Sequence, residues 1–449
     1  MTFLRNKRQA WSAVLLLLGC LWLMPYGDFH QSGTAPQFWL GAGLMGLGFG
    51  LSWGQSLSMR WFWGVAIAAR LLLLPMAPGD DVWRYLWEGL IQLQGFSPYE
   101  LPPTAAELVP YRTDWWPQIN HPDVTAIYPP ITQLGFRALA AIAPVVWVFK
   151  LAFIAADLGV CGLLNRRFGP SRTSLYAWNP LVIYSFAGGA HYDSWLVLPL
   201  VAAWLAAPSL EAKGRLLQQN LASGGTAAGE ALRSRGWAIV SAVLVGVSVA
   251  VKWVTLPVLG FLGWRSRHRW GWSTAVLVVL AGLLPLVLTA LPFCEAAACP
   301  LIPTRSSFVS HGRSAELVPY LVGLVWPASR QANWPYAIPL GLVWGWLVWR
   351  SPDLGRFLQS YLGALLVLSP IVHAWYFTWL VPFAVATQNW GVRWVSLSAF
   401  VYFMLPHRQA LGNELWLLTP WERLLLWLPL LLGWGWSMVQ ERRRVYQTT

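Results

Sequence analysis

Apolar runs recur along the chain from residue 11 to residue 438, separated by short polar or basic stretches. A helix needs about 20 apolar residues to cross a bilayer, and fewer where protein or water covers its ends. The pattern therefore predicts membrane helices near residues 11–26, 38–58 and 61–77. A long polar segment at 79–130, rich in acids and prolines, follows them. Beyond it come a short apolar piece at 131–143, a span at 145–164 and a hairpin of spans at 174–188 and 193–207. The stretch 237–263 has the length of one helix, but Lys252 interrupts it, which splits it into two short helices with the lysine at their turn. Further spans are predicted at 271–291, 335–349, 357–370, 376–389, 394–406 and 421–438, with a short embedded helix at 317–327. The expected fold is an all-α integral membrane bundle of about 12–14 transmembrane helices, with external loops that carry short helices.

Charge sets the orientation of this bundle. Of the 449 residues, 56% are hydrophobic and 11% charged, against roughly 25% charged in a soluble domain. The net charge of +13 does not form one stripe, which argues against a nucleic-acid partner. It is scattered in short loops, at Arg5, Lys7 and Arg8, at Arg166, Arg167 and Arg172, at Arg265, Arg267 and Arg269, at Arg350, Arg356 and Arg393, and at Arg442 to Arg444. Basic loops stay on the cytoplasmic side, so both termini are expected inside, and segments 79–130 and 292–333 outside. Residues 10–24 read as a retained anchor and not as a cleaved signal, because no small-residue cleavage site follows before Pro25. Residues 208–236, rich in Gly, Ala and Ser, read as a flexible cytoplasmic linker. Many of the 33 tryptophans flank apolar runs, as Trp61, Trp264, Trp272 and Trp390 do, where an indole N–H can stay among headgroups. Cys294 and Cys299 share one outer loop, where a disulfide or two free thiols are equally open readings.

The densest chemistry follows the third span, in Pro78-Gly79-Asp80-Asp81-Val82-Trp83-Arg84-Tyr85-Leu86-Trp87-Glu88-Gly89. Adjacent carboxylates at a membrane surface are costly unless solvated or used. An ordinary helix cap would account for one of them, but Arg84, Tyr85, Trp87 and Glu88 crowd the next two turns. Other outward-facing polar groups are His191 and Asp193 after Gly188-Gly189, Lys252 at its turn, and His373 with Trp375 and Tyr376. Arg305 and Arg313 are weaker candidates, since loop arginines are easily placed. Asp157, mid-span with Lys150 on roughly the same helical face, reads as a partner for a polar group of a neighbouring helix. No glycine-rich phosphate loop and no metal-ligand spacing is present.

In their order these residues, together with Tyr99, Tyr128-Pro129-Pro130 with Gln133, Trp178-Asn179-Pro180 and Ser369-Pro370-Ile371-Val372-His373-Ala374-Trp375-Tyr376, resemble the GT-C fold glycosyltransferases, nearest to the bacterial mannosyltransferases. The resemblance runs from about residue 60 to 390, with residues 1–60 as two added spans. It implies an inverting enzyme of the bacterial plasma membrane that needs no metal or cofactor. Its donor would be a polyprenyl-phosphate hexose, most often mannose, its acceptor a lipid or glycan at the outer face, and membrane lipids its surroundings. The family's catalytic Asp matches Asp81 or Asp80, and an aromatic two places on, usually Tyr, matches Trp83 after Asp81.

The chemistry makes the same demand. Sugar transfer from a lipid phosphate needs a base for the acceptor hydroxyl and groups that stabilise the departing phosphate. A carboxylate serves the first, which selects Asp81 with Asp80 beside it. Lys252 and His373 are the candidates for the second, with Tyr128, His191, Asp193, Arg84, Trp375 and Tyr376 around donor phosphate and sugar. The competing function is a transporter or flippase of a lipid-linked sugar. That function needs charged sites near the midplane, whereas these groups all project to one face.

Overall fold

The computed structural model describes residues 2–27, 33–207, 227–294, 299–302, 307–413 and 416–448. Among these the secondary structure is helical throughout, with no strand, so the chain is an all-α membrane protein. In chain order the first elements are α1 (Thr2–Leu23), α2 (Ala35–Ser52), α3 (Met59–Leu73), α4 (Asp81–Leu93), α5 (Pro130–Ile142), α6 (Val146–Ala177), α7 (Pro180–Ile183), α8 (Asp193–Ala206), α9 (Ala227–Val251), α10 (Leu256–Trp270) and α11 (Trp272–Ala290). Helices Ala337–Arg350, Leu354–Leu368 and Pro420–Thr448 complete the long elements.

By length and apolar composition, four helical stretches can cross a bilayer alone: Lys7–Tyr26, Val146–Ala177, Arg233–Val251 and Trp272–Phe293. Most of the other expected spans are shorter or built from pieces, while 421–438 falls inside the single 29-residue helix Pro420–Thr448. Residues 394–406, expected as one span, fall within Trp390–Ser398, a 3-10 segment Ala399–Phe403 and Met404–Ala410, joined end to end. Such pieces need neighbours, because a short helix leaves end groups that only protein or water can satisfy.

Two local differences from the sequence pattern stand out. The span expected at 174–188 does not form as one helix. Helix α6 continues through the arginines to Ala177 by kinking at Gly169, whose φ of 75° only glycine adopts readily, followed by Pro170. It stops at Trp178; Asn179 then caps α7 by accepting from the N–H groups of Leu181 and Val182, with Pro180 at the first helical position. A π-type turn, Tyr184–Gly188, carries the chain to the tip before α8. Second, α9 starts at Ala227, inside the stretch read as linker; residues 208–226 lie outside the described ones. Of the two readings left open for Cys294 and Cys299, the structure shows the disulfide.

Lys252 does break its apolar stretch, in extended backbone between α9 and α10. Asp157 meets Arg70 of α3 at 2.5 Å, both buried, and Arg70 also donates to the carbonyls of Ala66 and Ala177. Lys150 donates to the carbonyls of Leu74 and Met76 at the end of α3. These intramembrane charges thus join α3 and the turn after it to α6.

The polar segment after α4 is folded against it. Trp87 and Ile91 on the outer side of α4 bury with Leu108 and Ile119 in a small core of their own, separate from the main one. On the opposite side Gly89 lies so close to α5 that an added Cβ would stand 2.4 Å from the Phe136 carbonyl oxygen. Helix α4 is therefore wedged between the bundle and its own loop, and its N-terminus points at the site.

Candidate active site

Asp80 and Asp81 stand at the N-terminal end of α4, where the helix dipole favours negative charge. Neither caps the helix through its side chain in the manner of an ordinary N-cap residue. Instead, the Asn120 amide bridges them, donating to Asp81 Oδ1 at 2.9 Å and Asp80 Oδ2 at 3.2 Å. Asn120 is held in turn by Arg84, one turn into α4. The Arg84 guanidinium pairs with Glu88 at 2.7 Å and donates to the carbonyls of Asn120, His121 and Val124. Glu88 accepts from Gln133 of α5 at 2.6 Å. Arg84, expected near the donor phosphate, is thus placed in the clamp that fixes the 120–124 loop.

The second wall is the tip between the π-type turn and α8. Its carbonyl at Gly189 accepts from the Gly79 N–H at 3.0 Å, which ties this tip to the entry of α4. Ala190 takes a left-handed φ of 61°, a cost for a residue with a Cβ. That turn sends His191 back toward the acids: its Nδ1 lies 3.6 Å from Asp81 Oδ2, beyond hydrogen-bond distance. The His191 ring stacks on Trp375 at 3.7 Å, and His373 stacks on the same indole at 4.6 Å. Trp375 therefore gives its ring surface to two imidazoles. His373 Nδ1 also meets the Tyr402 hydroxyl at 2.5 Å.

The third component is Lys252. Its ammonium pairs with Asp193 Oδ1 at 2.8 Å, and the Trp379 indole donates to the same oxygen at 2.7 Å. Three rings surround the ammonium, Tyr376 at 4.5 Å, Trp379 at 5.0 Å and Tyr192 at 5.1 Å, an arrangement that stabilises a partly desolvated cation. Tyr128 completes the aromatic wall edge-on to Tyr85 and Tyr192. Tyr128 itself is fixed from behind by the Tyr99 hydroxyl, which donates to its carbonyl at 2.6 Å.

Burial pushes the Asp81 carboxyl up to about 7, the nearby Asp80 charge adds to this, and Asn120 and Lys252 work against it. Its side chain still keeps 23% of its surface open, so a hydroxyl can reach it. Burial and the Lys252 charge hold His373 down at about 3, and burial, then Lys252 and His373, hold His191 well below its usual range. Both imidazoles are neutral at physiological pH and act as hydrogen-bonding groups, not as cations. The site thus offers one tunable base, one cation with spare N–H bonds and neutral donors beside it.

The structure brings together Asp80, Asp81, Tyr128, His191, Asp193, Lys252, His373, Trp375 and Tyr376, and it sets Arg84 behind them. Sequence reasoning missed Asn120, Trp379 and Tyr402. Nothing in the local sequence marks Asn120, which gains its role from Arg84 folding the loop back. Arg305 lies outside the described residues, and Arg313 donates to the carbonyls of Ser329 and Ala332, within its own loop. Among the described residues no group of three or more His, Cys, Asp or Glu side chains is placed to hold a metal ion.

Comparison with curated proteins finds no match, and comparison with solved structures finds none either. A family model described as alpha-(1->6)-mannopyranosyltransferase, N-terminal domain, matches residues 9–268. The match starts inside α1, so most of α1 and all of α2 lie within it, as do Asp80, Asp81, Asn120, Tyr128, His191, Asp193 and Lys252. With more than half of its length matched, the chain belongs to the alpha-(1->6)-mannopyranosyltransferase family and is a glycosyltransferase.

Proposed function

We propose that the chain moves mannose from a polyprenyl-phosphate donor to a hydroxyl of a lipid or glycan acceptor at the outer face of the plasma membrane, with inversion at the anomeric carbon. Asp81 takes the proton of the acceptor hydroxyl as its oxygen bonds to the anomeric carbon. The bond from that carbon to the phosphate oxygen breaks on the opposite side, and polyprenyl phosphate leaves. Lys252, oriented by Asp193 and Trp379, meets the negative charge that grows on the departing phosphate, and neutral His373 donates to it. Opposite placement of base and leaving group is what inversion requires, and it matches a site with acids on α4 and an ammonium at the α9–α10 turn.

The observation that carries this reading is the Asp81 carboxyl poised near 7 beside an oriented ammonium, within an aromatic wall. A base whose protonation balances at working pH accepts a proton most effectively. Aromatic faces suit both sugar C–H surfaces and prenyl chains. A transporter would need its charges accessible from both sides; the intramembrane charges of α3 and α6 are instead locked in pairing.

The test is transfer of radiolabelled mannose from synthetic polyprenyl-phosphate mannose by the purified chain, with glucose and arabinose donors alongside. Product with inverted configuration from the mannose donor is expected. Transfer from a nucleotide-linked mannose with none from the lipid-linked donor would overturn the donor assignment.

A further inference from the structure

Helices α10 and α11 form an antiparallel pair at the end of the bundle remote from the acids. At ~1.5 Å per helical residue, Arg267 stands about 16 Å along α10 from Leu256, where the helix leaves the Lys252 turn. Helix α11 is the least buried of the four long apolar stretches, with Val276, Leu277, Leu280 and Leu284 all exposed, so the pair faces lipid. Between the two helices runs an open groove of about 370 Å³, lined by Gly260, Gly263 and Trp264 on one side and by Trp272, Val276 and Leu280 on the other, with Arg267 at its end.

The groove is apolar except for Arg267. That guanidinium lies 4.1 Å over the Trp272 ring and 5.4 Å from the Trp264 ring, and it makes no hydrogen bond among the described residues. Arg265 and Arg269 flank it, and none of the three pairs with a carboxylate there. Arg265 donates to the Pro352 carbonyl, and Arg269 stacks on Trp270. One guanidinium without an anion, that of Arg267, therefore stands at the mouth of an apolar channel, while Arg265 and Arg269, two residues away on either side, lie on the other face of the helix and add only to the local positive charge. Two indoles frame that mouth at the depth where tryptophan marks the headgroup region.

We infer that this groove binds one anionic phospholipid of the leaflet opposite the acid site, its phosphate on the Arg267 fork and an acyl chain along the Gly260–Leu280 channel. A guanidinium offers paired donors that match phosphate oxygens, and indole stacking fixes its plane in advance. Each basic residue near a membrane surface adds about 1 kcal/mol of attraction for anionic lipid. A polyprenyl tail alone would not explain an oriented guanidinium without a carboxylate at this end.

The inference is independent of the catalytic reading and is tested by binding alone. Full-length chain, delipidated in detergent, is titrated with dioleoylphosphatidylglycerol or dioleoylphosphatidylcholine, and bound lipid is counted by native mass spectrometry. About tenfold preference for the anionic lipid is expected. R267Q should bring the two within about twofold, and V276F, which fills the channel without touching charge, should weaken both. R267K keeps the charge but loses the fork and should fall between wild type and R267Q. R166Q, which removes an exposed arginine elsewhere on the same side, should leave the preference intact. An equal loss in R166Q and R267Q would reduce the effect to diffuse charge and overturn the site. Inorganic phosphate displacing the lipid at millimolar concentration would identify a free-phosphate site instead, and tight binding of a polyprenyl monophosphate with no binding of phosphatidylglycerol would assign the groove to a different lipid. A misfolded R267Q would show in its elution profile, and V276F then carries the decision.

Discussion

Asp81 owes its basicity to a balance among neighbours, and each can be removed singly. Asp81→Asn keeps shape and removes proton affinity, so single-turnover transfer should fall by about a hundredfold or more. If Asp81 is the base proposed above, it works deprotonated, and with its carboxyl near 7 kcat/KM should rise as pH increases through 7. Asn120 stabilises the charged form, so Asn120→Ala should raise the carboxyl further and move this limb to higher pH. Asp80 destabilises it by like charge, so Asp80→Asn should move the limb to lower pH while leaving a weaker base. His373→Gln should leave the limb where it is, since that imidazole is neutral above about 3. A limb that vanishes in His373→Gln and persists in Asn120→Ala at its original position would transfer the titration from Asp81 to the histidine. Lys252→Met keeps the apolar stem and removes the ammonium; donor affinity or the rate of phosphate departure should drop by tenfold or more, and unchanged kinetics would leave Lys252 as an anchor for Asp193 only.

Helix α4 is the element on which the site depends, because one side of it carries Arg84 and Glu88 to the 120–124 loop while Gly89 lets α5 approach. Arg84→Met should free the loop without touching the acids directly. The pH limb should then shift in the same direction as in Asn120→Ala, and proteolysis near residues 120–124 should become faster. A shift without faster cleavage would mean that Arg84 acts on Asp81 by charge alone. Gly89→Leu should push α4 off α5, since even a methyl carbon there meets the Phe136 carbonyl at 2.4 Å. The α3–α6 pair makes a further demand on elements: Asp157→Ala leaves Arg70 buried without its carboxylate, which typically costs about 3–5 kcal/mol. Thermal unfolding in detergent should show that loss, and Asp157→Asn, which can still accept a hydrogen bond, should lose less.

At the scale of the whole molecule the proposed orientation has a direct test. Cys20 and Cys161 are buried and Cys294 is bonded to Cys299, so the natural chain presents no exposed thiol among its described residues. A cysteine at Glu107, exposed on the α4 loop, should react with an impermeant thiol reagent in intact spheroplasts. A cysteine at Arg166, exposed near the α6 kink, should react only after lysis. The reverse pattern would invert the bundle and place the acids inside.

Much of this protein was legible from its residues alone. The spacing of apolar runs marked a helical membrane protein because every backbone group must be satisfied within lipid, whatever the neighbours are. The turn at Lys252, the acids before α4 and the polar tip at 188–193 were visible because charge in an apolar chain stands out. Helix continuity was not. Gly169-Pro170 lets α6 either end or kink and resume, and local sequence does not choose between the two; whether 394–406 forms one span or three pieces depends on the neighbours that satisfy its broken ends. The same limit applied at the site. Asn120 is an unremarkable loop residue until Arg84 folds its loop onto α4, and His373 reads as a cation until burial and Lys252 make it neutral. Sequence determined which groups the chain carries and on which elements; only tertiary packing decided their partners and protonation, because both follow from distance and desolvation between segments far apart in the chain.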